Sequence, residues 1–261
     1  IKPAYTMPAP KTRQPGRLRT AAAIAVGLAQ LATDGRPAGT LPSSGTSHRR
    51  VALVDFPLDD VRDTARKLGV RVTDIVLSAV AGGLRRAVPD PGRLPPKLRV
   101  SVTLMLRPPG SGAEGNATGA GIMDLPLGPV PELERLASIA ARSNRLRTGT
   151  RALASRFVMK TVGDLLPAPV FAWFARTVYG GRFFHAVVSN MPAPDIQLYL
   201  AGAPMREVYP LLPLAPGAPL TAGALGWNGL LCLGIEVDPV LVADRDTLGK
   251  AVAAVFAELR G

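Results

Sequence analysis

With 261 residues, 47% of them hydrophobic and 19% charged, the chain has the composition of a folded protein, long enough for one large core or two small ones. Its single cysteine, Cys232, excludes an internal disulfide framework and suits a reducing compartment. A formal charge of +12 favours anionic partners, but 5% aromatic content without a basic recognition helix or zinc-ligand spacing argues against nucleic acid.

The chain begins at Ile1, not at methionine, which is consistent with cleavage, a gene split or a piece of a longer protein. Residues 1–19 hold four prolines and five basic residues with no acid, the pattern of an extended solvated arm. Residues 20–32 are mostly apolar helix formers, too short to span a membrane, and read as a packed helix stopped at Asp34-Gly35. A Gly/Pro/Ser loop follows to His48. We therefore expect a basic arm, helix and linker over 1–48 and the main domain over 49–261.

From Arg49 the periodicity sharpens. Val51 to Phe56 reads as a strand, and Pro57 opens a helix whose first turn carries Asp59 and Asp60, where the helix dipole favours acids. A second helix runs from Val72 to Arg86, with Thr73 or Asp74 as its cap. Residues 99–106 alternate as a strand. Gly110 to Gly115 matches G-x-G-x-x-G in form, but Pro108-Pro109 separates it from that strand and no helix opens after it, so a nucleotide reading fails on context. A strand over 119–125 and a helix over 131–146 come next.

Residues 151–182 combine an apolar set, including Phe171, Trp173 and Phe174, with cationic flanks such as Arg176. Pro167 and Pro169 break the stretch into pieces too short to span a bilayer. It reads either as an interfacial amphipathic segment or as a helix pair packed on the core with arginine stems laid along it. Phe183 to Val188 then reads as a strand, stopped by Pro192 and Pro194, so that Ser189-Asn190 sits where a buried strand emerges. Such a polar pair either lines a ligand cleft or caps the turn locally. Leu220 to Val237, with Asn228-Gly229 between apolar runs, reads as a hairpin, and Asp246 to Leu259 as an amphipathic helix. The succession predicts an α/β (α+β) domain, a mixed sheet layered with helices.

No catalytic apparatus is visible from residue chemistry. His48 lies among arginines, His185 sits in an apolar strand as a core or cleft-lining side chain, and Cys232 lies in an apolar run as a small buried hydrophobe. No metal-ligand spacing and no G-x-S-x-G elbow occur.

Several strings nevertheless resemble one family. Pro57-Leu58-Asp59-Asp60-Val61, the helix Val72-Thr73-Asp74-Ile75-Val76-Leu77-Ser78-Ala79-Val80-Ala81-Gly82, and Gly115-Asn116 followed by Leu125-Pro126-Leu127-Gly128 are similar to segments of the bacterial wax ester synthase/diacylglycerol acyltransferase family. Ser189-Asn190-Met191-Pro192-Ala193-Pro194 resembles its S-N-V-P-G-P signature, and Tyr199 to Ala203 and Tyr209-Pro210 also follow the pattern. Thr73 and Ala193 depart from the family's asparagine and glycine. The resemblance covers about residues 49–260 and matches the family's C-terminal half; the H-H-x-x-x-D-G motif of its N-terminal half occurs nowhere in this sequence.

The resemblance implies a chloramphenicol-acetyltransferase-like lobe of a two-lobed, coenzyme A-dependent O-acyltransferase. The catalytic histidine would lie on an N-terminal lobe or separate chain, and this chain alone would be inactive. Acyl-CoA would be co-substrate, a lipid alcohol or diacylglycerol the acceptor, and no cofactor would stay bound. Ser189, Asn190 and His185 become candidate substrate-binding residues; Asp74, Asn116, Pro192 and Pro194 candidate cleft supports; Phe171, Trp173, Phe174 and Arg176 a candidate membrane surface; no catalytic or metal residue is assigned. A cytoplasmic protein, attached peripherally to an anionic inner-membrane or lipid-droplet surface, is expected. The alternative is a catalytically silent acyl-CoA- or lipid-binding module, or a membrane-surface module.

Overall fold

The computed structural model describes residues 37, 39–46, 48–105, 118–148, 183–191, 197–214 and 217–261. The expected helix at 20–32, the glycine-rich stretch at 110–115 and the amphipathic stretch at 151–182 lie outside these residues.

Strand β1 (Arg50–Pro57) leads into helices α1 (Leu58–Lys67) and α2 (Val72–Ala87). Strands β2 (Lys97–Met105) and β3 (Thr118–Pro126), helix α3 (Glu132–Thr148) and strand β4 (Ala186–Met191) follow. A two-stranded ribbon, β5 (Tyr199–Leu200) and β6 (Ala203–Pro204), precedes strands β7 (Leu220–Trp227) and β8 (Leu230–Val237) and the last helix, α4 (Arg245–Arg260).

The main sheet has the order β1-β8-β7-β4-β2-β3. β4 is parallel to both neighbours, β7 and β2, while the other pairs are antiparallel. The predicted hairpin is β7–β8, and its turn places Asn228 (φ 46°) and Gly229 (φ 78°) in the left-handed region that an Asn-Gly pair tolerates. β4 differs from its expectation. It begins three residues later and runs through Ser189 and Asn190, in register with Gly223 and Ala224. Parallel pairing with β7 holds the backbone extended up to Met191.

Helices α2, α3 and α4 lie against one face of the sheet, with α2 between the other two. Alternate residues supply the core: Val100 and Val102 from β2, Ala186 and Val188 from β4, Leu220 and Ala222 from β7, and Leu233 and Ile235 from β8, against Leu77, Val80 and Leu84 of α2. The helices approach closely because α2 carries a glycine pair. A Cβ on Gly83 would lie 2.4 Å from Val252 Cγ2 of α4, and one on Gly82 would lie 2.6 Å from Glu132 Oε2 of α3. Phe56 and Phe256, with ring centroids 4.5 Å apart, join β1 to α4.

Residues 205–214 cross the opposite face. Gly223 and Gly234, paired in β7–β8, leave room for the Pro210 carbonyl, which would lie within 2.6 Å of a Cβ at either position. Thr221 Oγ1 donates to the Leu212 carbonyl (2.6 Å) and Trp227 Nε1 to that of Met205 (2.9 Å). On this face Cys232 is buried, and burial pushes its thiol pKa up, as expected of a small hydrophobe.

Candidate functional site

The start of α2 is where strings distant in sequence meet. Neither expected cap occupies the cap position: Arg71 does, and its backbone N–H donates to Asp74 Oδ2 (3.0 Å), the carboxylate sitting at the third helical position. Thr73 is thereby free to face the sheet, where its Oγ1 accepts from Asn190 Nδ2 (3.0 Å) across 117 residues of sequence. The helix start and the end of β4 are thus joined by a side-chain bond.

This junction is polar and incompletely satisfied. Asp74 is 2% exposed and Ser78, one turn further on, is fully buried. Among the described residues the buried side-chain atoms without a hydrogen-bond partner are Arg71 Nη1, Asp74 Oδ1 and Ser78 Oγ, all on the first turns of this helix. Buried unpaired polar atoms are rare in folded proteins because each forfeits its hydration, so their cluster makes this helix start the candidate site. The helix dipole adds partial positive charge there, and the carboxyl ends of parallel strands are where open sheets bind ligands.

The other predicted residues fall in different surroundings. Ser189 is buried on the opposite face of β4, in register with Gly223. His185 precedes β4. Its Nδ1 accepts from the Arg99 backbone N–H (3.1 Å), so Nε2 carries the proton and donates to the Gly39 carbonyl (3.1 Å). Burial lowers the His185 pKa, outweighing the Gly39 bond, and keeps the ring neutral. Both ring nitrogens are engaged with backbone, an arrangement that holds chain segments together. Asn116, Pro192, Pro194, Phe171, Trp173, Phe174 and Arg176 lie outside the described residues.

A second tie complements His185. The Asp238 carboxylate accepts from Ser43 Oγ (3.0 Å), Ser44 N–H (2.8 Å), Ser44 Oγ (2.9 Å) and Val240 N–H (2.9 Å). Burial opposes ionisation of Asp238, but the bonds from Val240, Ser44 and Ser43 outweigh it and hold the pKa below the ordinary carboxylate value. Residues read as a linker are therefore strapped to the domain, with Leu41 buried between the two ties.

The Leu125-Pro126-Leu127-Gly128 string is held by arginines. Arg85 Nη1 donates to the Leu127 carbonyl (2.9 Å), and Arg135 donates to the carbonyls of Pro126 and Gly128. Glu132 neutralises Arg135 (2.9 Å) and also accepts from Arg86 (3.1 Å). The Glu132/Arg135 spacing of three, one helical turn, was the available sequence signal for this clamp, which sequence reasoning missed. Among the described residues no group of His, Cys, Asp and Glu is arranged to hold a metal, and no helix is long and apolar enough to cross a membrane.

Comparison with known proteins agrees with this architecture. Residues 114–260 match the model of the WS/DGAT C-terminal domain. A Mycobacterium tuberculosis protein named as a diacylglycerol O-acyltransferase, Rv3480c, is 28% identical over 207 residues, covering 77% of this chain and 40% of its own length. Another from that organism, tgs1, is 26% identical over 216 residues, covering 81% and 46%. The wax ester synthase/diacylglycerol acyltransferase of Marinobacter aquaeolei VT8 superposes with a TM-score of 0.63 at 21% identity, over 95% of this chain and 57% of that one. The cyclization-docking bidomain of a Sorangium cellulosum nonribosomal peptide synthetase shares the fold at a TM-score of 0.53 and 16% identity, over 91% and 47%. The chain spans less than half the length of these curated relatives. By its family match and its fold, the chain belongs to the wax ester synthase/diacylglycerol acyltransferase family, as that family's C-terminal domain.

Proposed function

We propose that this chain is the C-terminal lobe of a long-chain acyl-CoA-dependent O-acyltransferase whose catalytic histidine resides on an N-terminal lobe bearing H-H-x-x-x-D-G. The observation that carries the reading is the hydrogen bond between Asn190 and Thr73, which unites two family strings in one polar junction with unpartnered buried atoms beside it. In the reaction a histidine of the other lobe accepts the proton of a lipid alcohol or diacylglycerol hydroxyl as its oxygen attacks the acyl-CoA carbonyl carbon. The C–S bond then breaks, and the thiolate leaves as coenzyme A after taking that proton. Asn190 lines the cleft and Asp74 orders the first turn of α2, while Ser189, buried on the other face of β4, stands apart from it. His185 stands apart as a structural tie, which the engagement of both its ring nitrogens supports. Residues 151–182, with Phe171, Trp173, Phe174 and Arg176, supply the contact with an anionic lipid surface, such as the inner membrane or a lipid droplet.

The test is transfer of radiolabelled palmitate from palmitoyl-CoA to hexadecanol and to dioleoylglycerol. The chain alone is expected to give no product above background, and the same chain joined to an N-terminal half bearing H-H-x-x-x-D-G to give ester. Absence of ester from the joined protein, with palmitoyl-CoA still bound, would favour a silent binding module.

A further inference from the structure

A cavity of about 260 Å³ lies beside edge strand β3, lined by Arg99, Ile122, Asp124, Arg142, Arg145 and Leu146. It is at the opposite end of β4 from Asn190, since Arg99 pairs through its backbone with His185. Its walls carry three guanidinium groups and one carboxylate. That carboxylate is already committed: Asp124 Oδ1 accepts from Arg99 Nε at 2.8 Å. Burial opposes its ionisation, but Arg99, with Lys97 and Arg142 behind it, holds its pKa below the ordinary carboxylate value.

Arg142 and Arg145 stand differently. They sit one turn apart on the same side of α3 and line the same cavity. Neither forms an ion pair among the described residues, and the contact made by Arg142 is a long one from Nε to Ser138 Oγ (3.4 Å). Cations in the last turns of a helix gain from its dipole, which accounts for their sign. The third arginine of the lining, Arg99 of β2, is already paired with Asp124, so the lining charge without an ion partner among the described residues is that of Arg142 and Arg145. Like charges at this spacing repel, so the arrangement stores unfavourable energy that an anion in the cavity relieves. Two guanidinium forks without an ion partner, with Ile122 and Leu146 as apolar wall, suit a phosphate group attached to an organic moiety better than a simple halide.

We infer that the Arg99–Arg142–Arg145 cavity is a binding site for a phosphate group, borne either by a soluble phosphorylated molecule or by a lipid headgroup. The site needs no turnover, so it stands or falls separately from the acyl transfer proposed above.

Isothermal titration calorimetry of the intact chain with pyrophosphate and with adenosine 3′,5′-bisphosphate at low salt tests it. The expected result is one site whose affinity falls as salt rises. Arg142→Gln with Arg145→Gln should weaken binding at least tenfold without lowering Tm. The matched loss of charge at Arg62→Gln with Arg66→Gln on α1 should leave affinity within twofold. Co-sedimentation with phosphatidylglycerol vesicles distinguishes the source: vesicle binding that depends on Arg142 and Arg145 assigns a lipid headgroup, and binding of the soluble probes alone assigns a soluble ligand. If the α3 and α1 double variants weaken binding equally, or if neither probe nor vesicles bind at low salt, the inference is overturned.

Discussion

Replacing Glu132 by Gln tests the clamp that fixes Pro126 to Gly128 between α2 and α3. The Glu132 side chain is 5% exposed and that of its partner Arg135 is 1% exposed, so the pair is desolvated. Glutamine can accept from one guanidinium only, and its amide N–H₂ then faces a second donor, since Glu132 serves both Arg135 and Arg86. Arg135 is left as a buried charge without its counter-ion. Removing one partner of a buried pair costs about 3–5 kcal/mol, a large share of the roughly 5–15 kcal/mol that holds a typical domain folded. Arg86 is 37% exposed and shares itself with Glu258, so Arg86→Gln should cost about 1 kcal/mol or less, as expected of a solvent-screened pair. Exposed Glu134→Gln, in the same turn of α3, should change stability by less than about 0.5 kcal/mol. Urea unfolding followed by tryptophan fluorescence measures all three. A Glu132→Gln cost below about 1 kcal/mol, or one no larger than that of Arg86→Gln, would refute the reasoning.

Other outcomes follow from the packing and the strap. Gly83→Ala places a methyl 2.4 Å from Val252 Cγ2, and should destabilise by about 1–3 kcal/mol in the same assay, with partial recovery when Val252→Ala is added. Asp238→Asn should lower stability at pH 7. Because the folded pKa of Asp238 is depressed, its contribution is present above the unfolded carboxylate value of about 4 and lost as pH falls through the folded one. The difference between wild type and Asp238→Asn should therefore shrink on acidification below about pH 4, and a pH-independent difference would contradict the assignment. His185→Phe removes both ties of the imidazole and should speed proteolytic cleavage near Gly39 with little change in global unfolding.

The elements were legible in the sequence because their periods are clean. β2 alternates Val100 and Val102 with Ser101 and Thr103, and α2 repeats its apolar positions at helical spacing. The end of β4 was misplaced because its extent depends on pairing with β7, a partner more than 30 positions away that local pattern does not reveal. The site was half legible. Ser189-Asn190 and Thr73-Asp74 each stood out, but nothing local showed that Asn190 would bond Thr73, or that Arg71 would take the cap and leave Asp74 Oδ1 unpartnered. His185 read as core or cleft-lining from its apolar neighbours, and only the fold shows Arg99 and Gly39 converging on its two nitrogens.

The most direct test of the central claim is the steady-state kinetics of Asn190→Ala in the chain joined to an N-terminal half bearing H-H-x-x-x-D-G. Asn190 bonds Thr73 at a junction where three buried polar atoms have no hydrogen-bond partner among the described residues. The account predicts that kcat for palmitoyl transfer falls at least tenfold, about 1.4 kcal/mol of barrier, while Tm drops by no more than a few degrees. A kcat within twofold of wild type would contradict it and move the reaction away from the junction of β4 and α2.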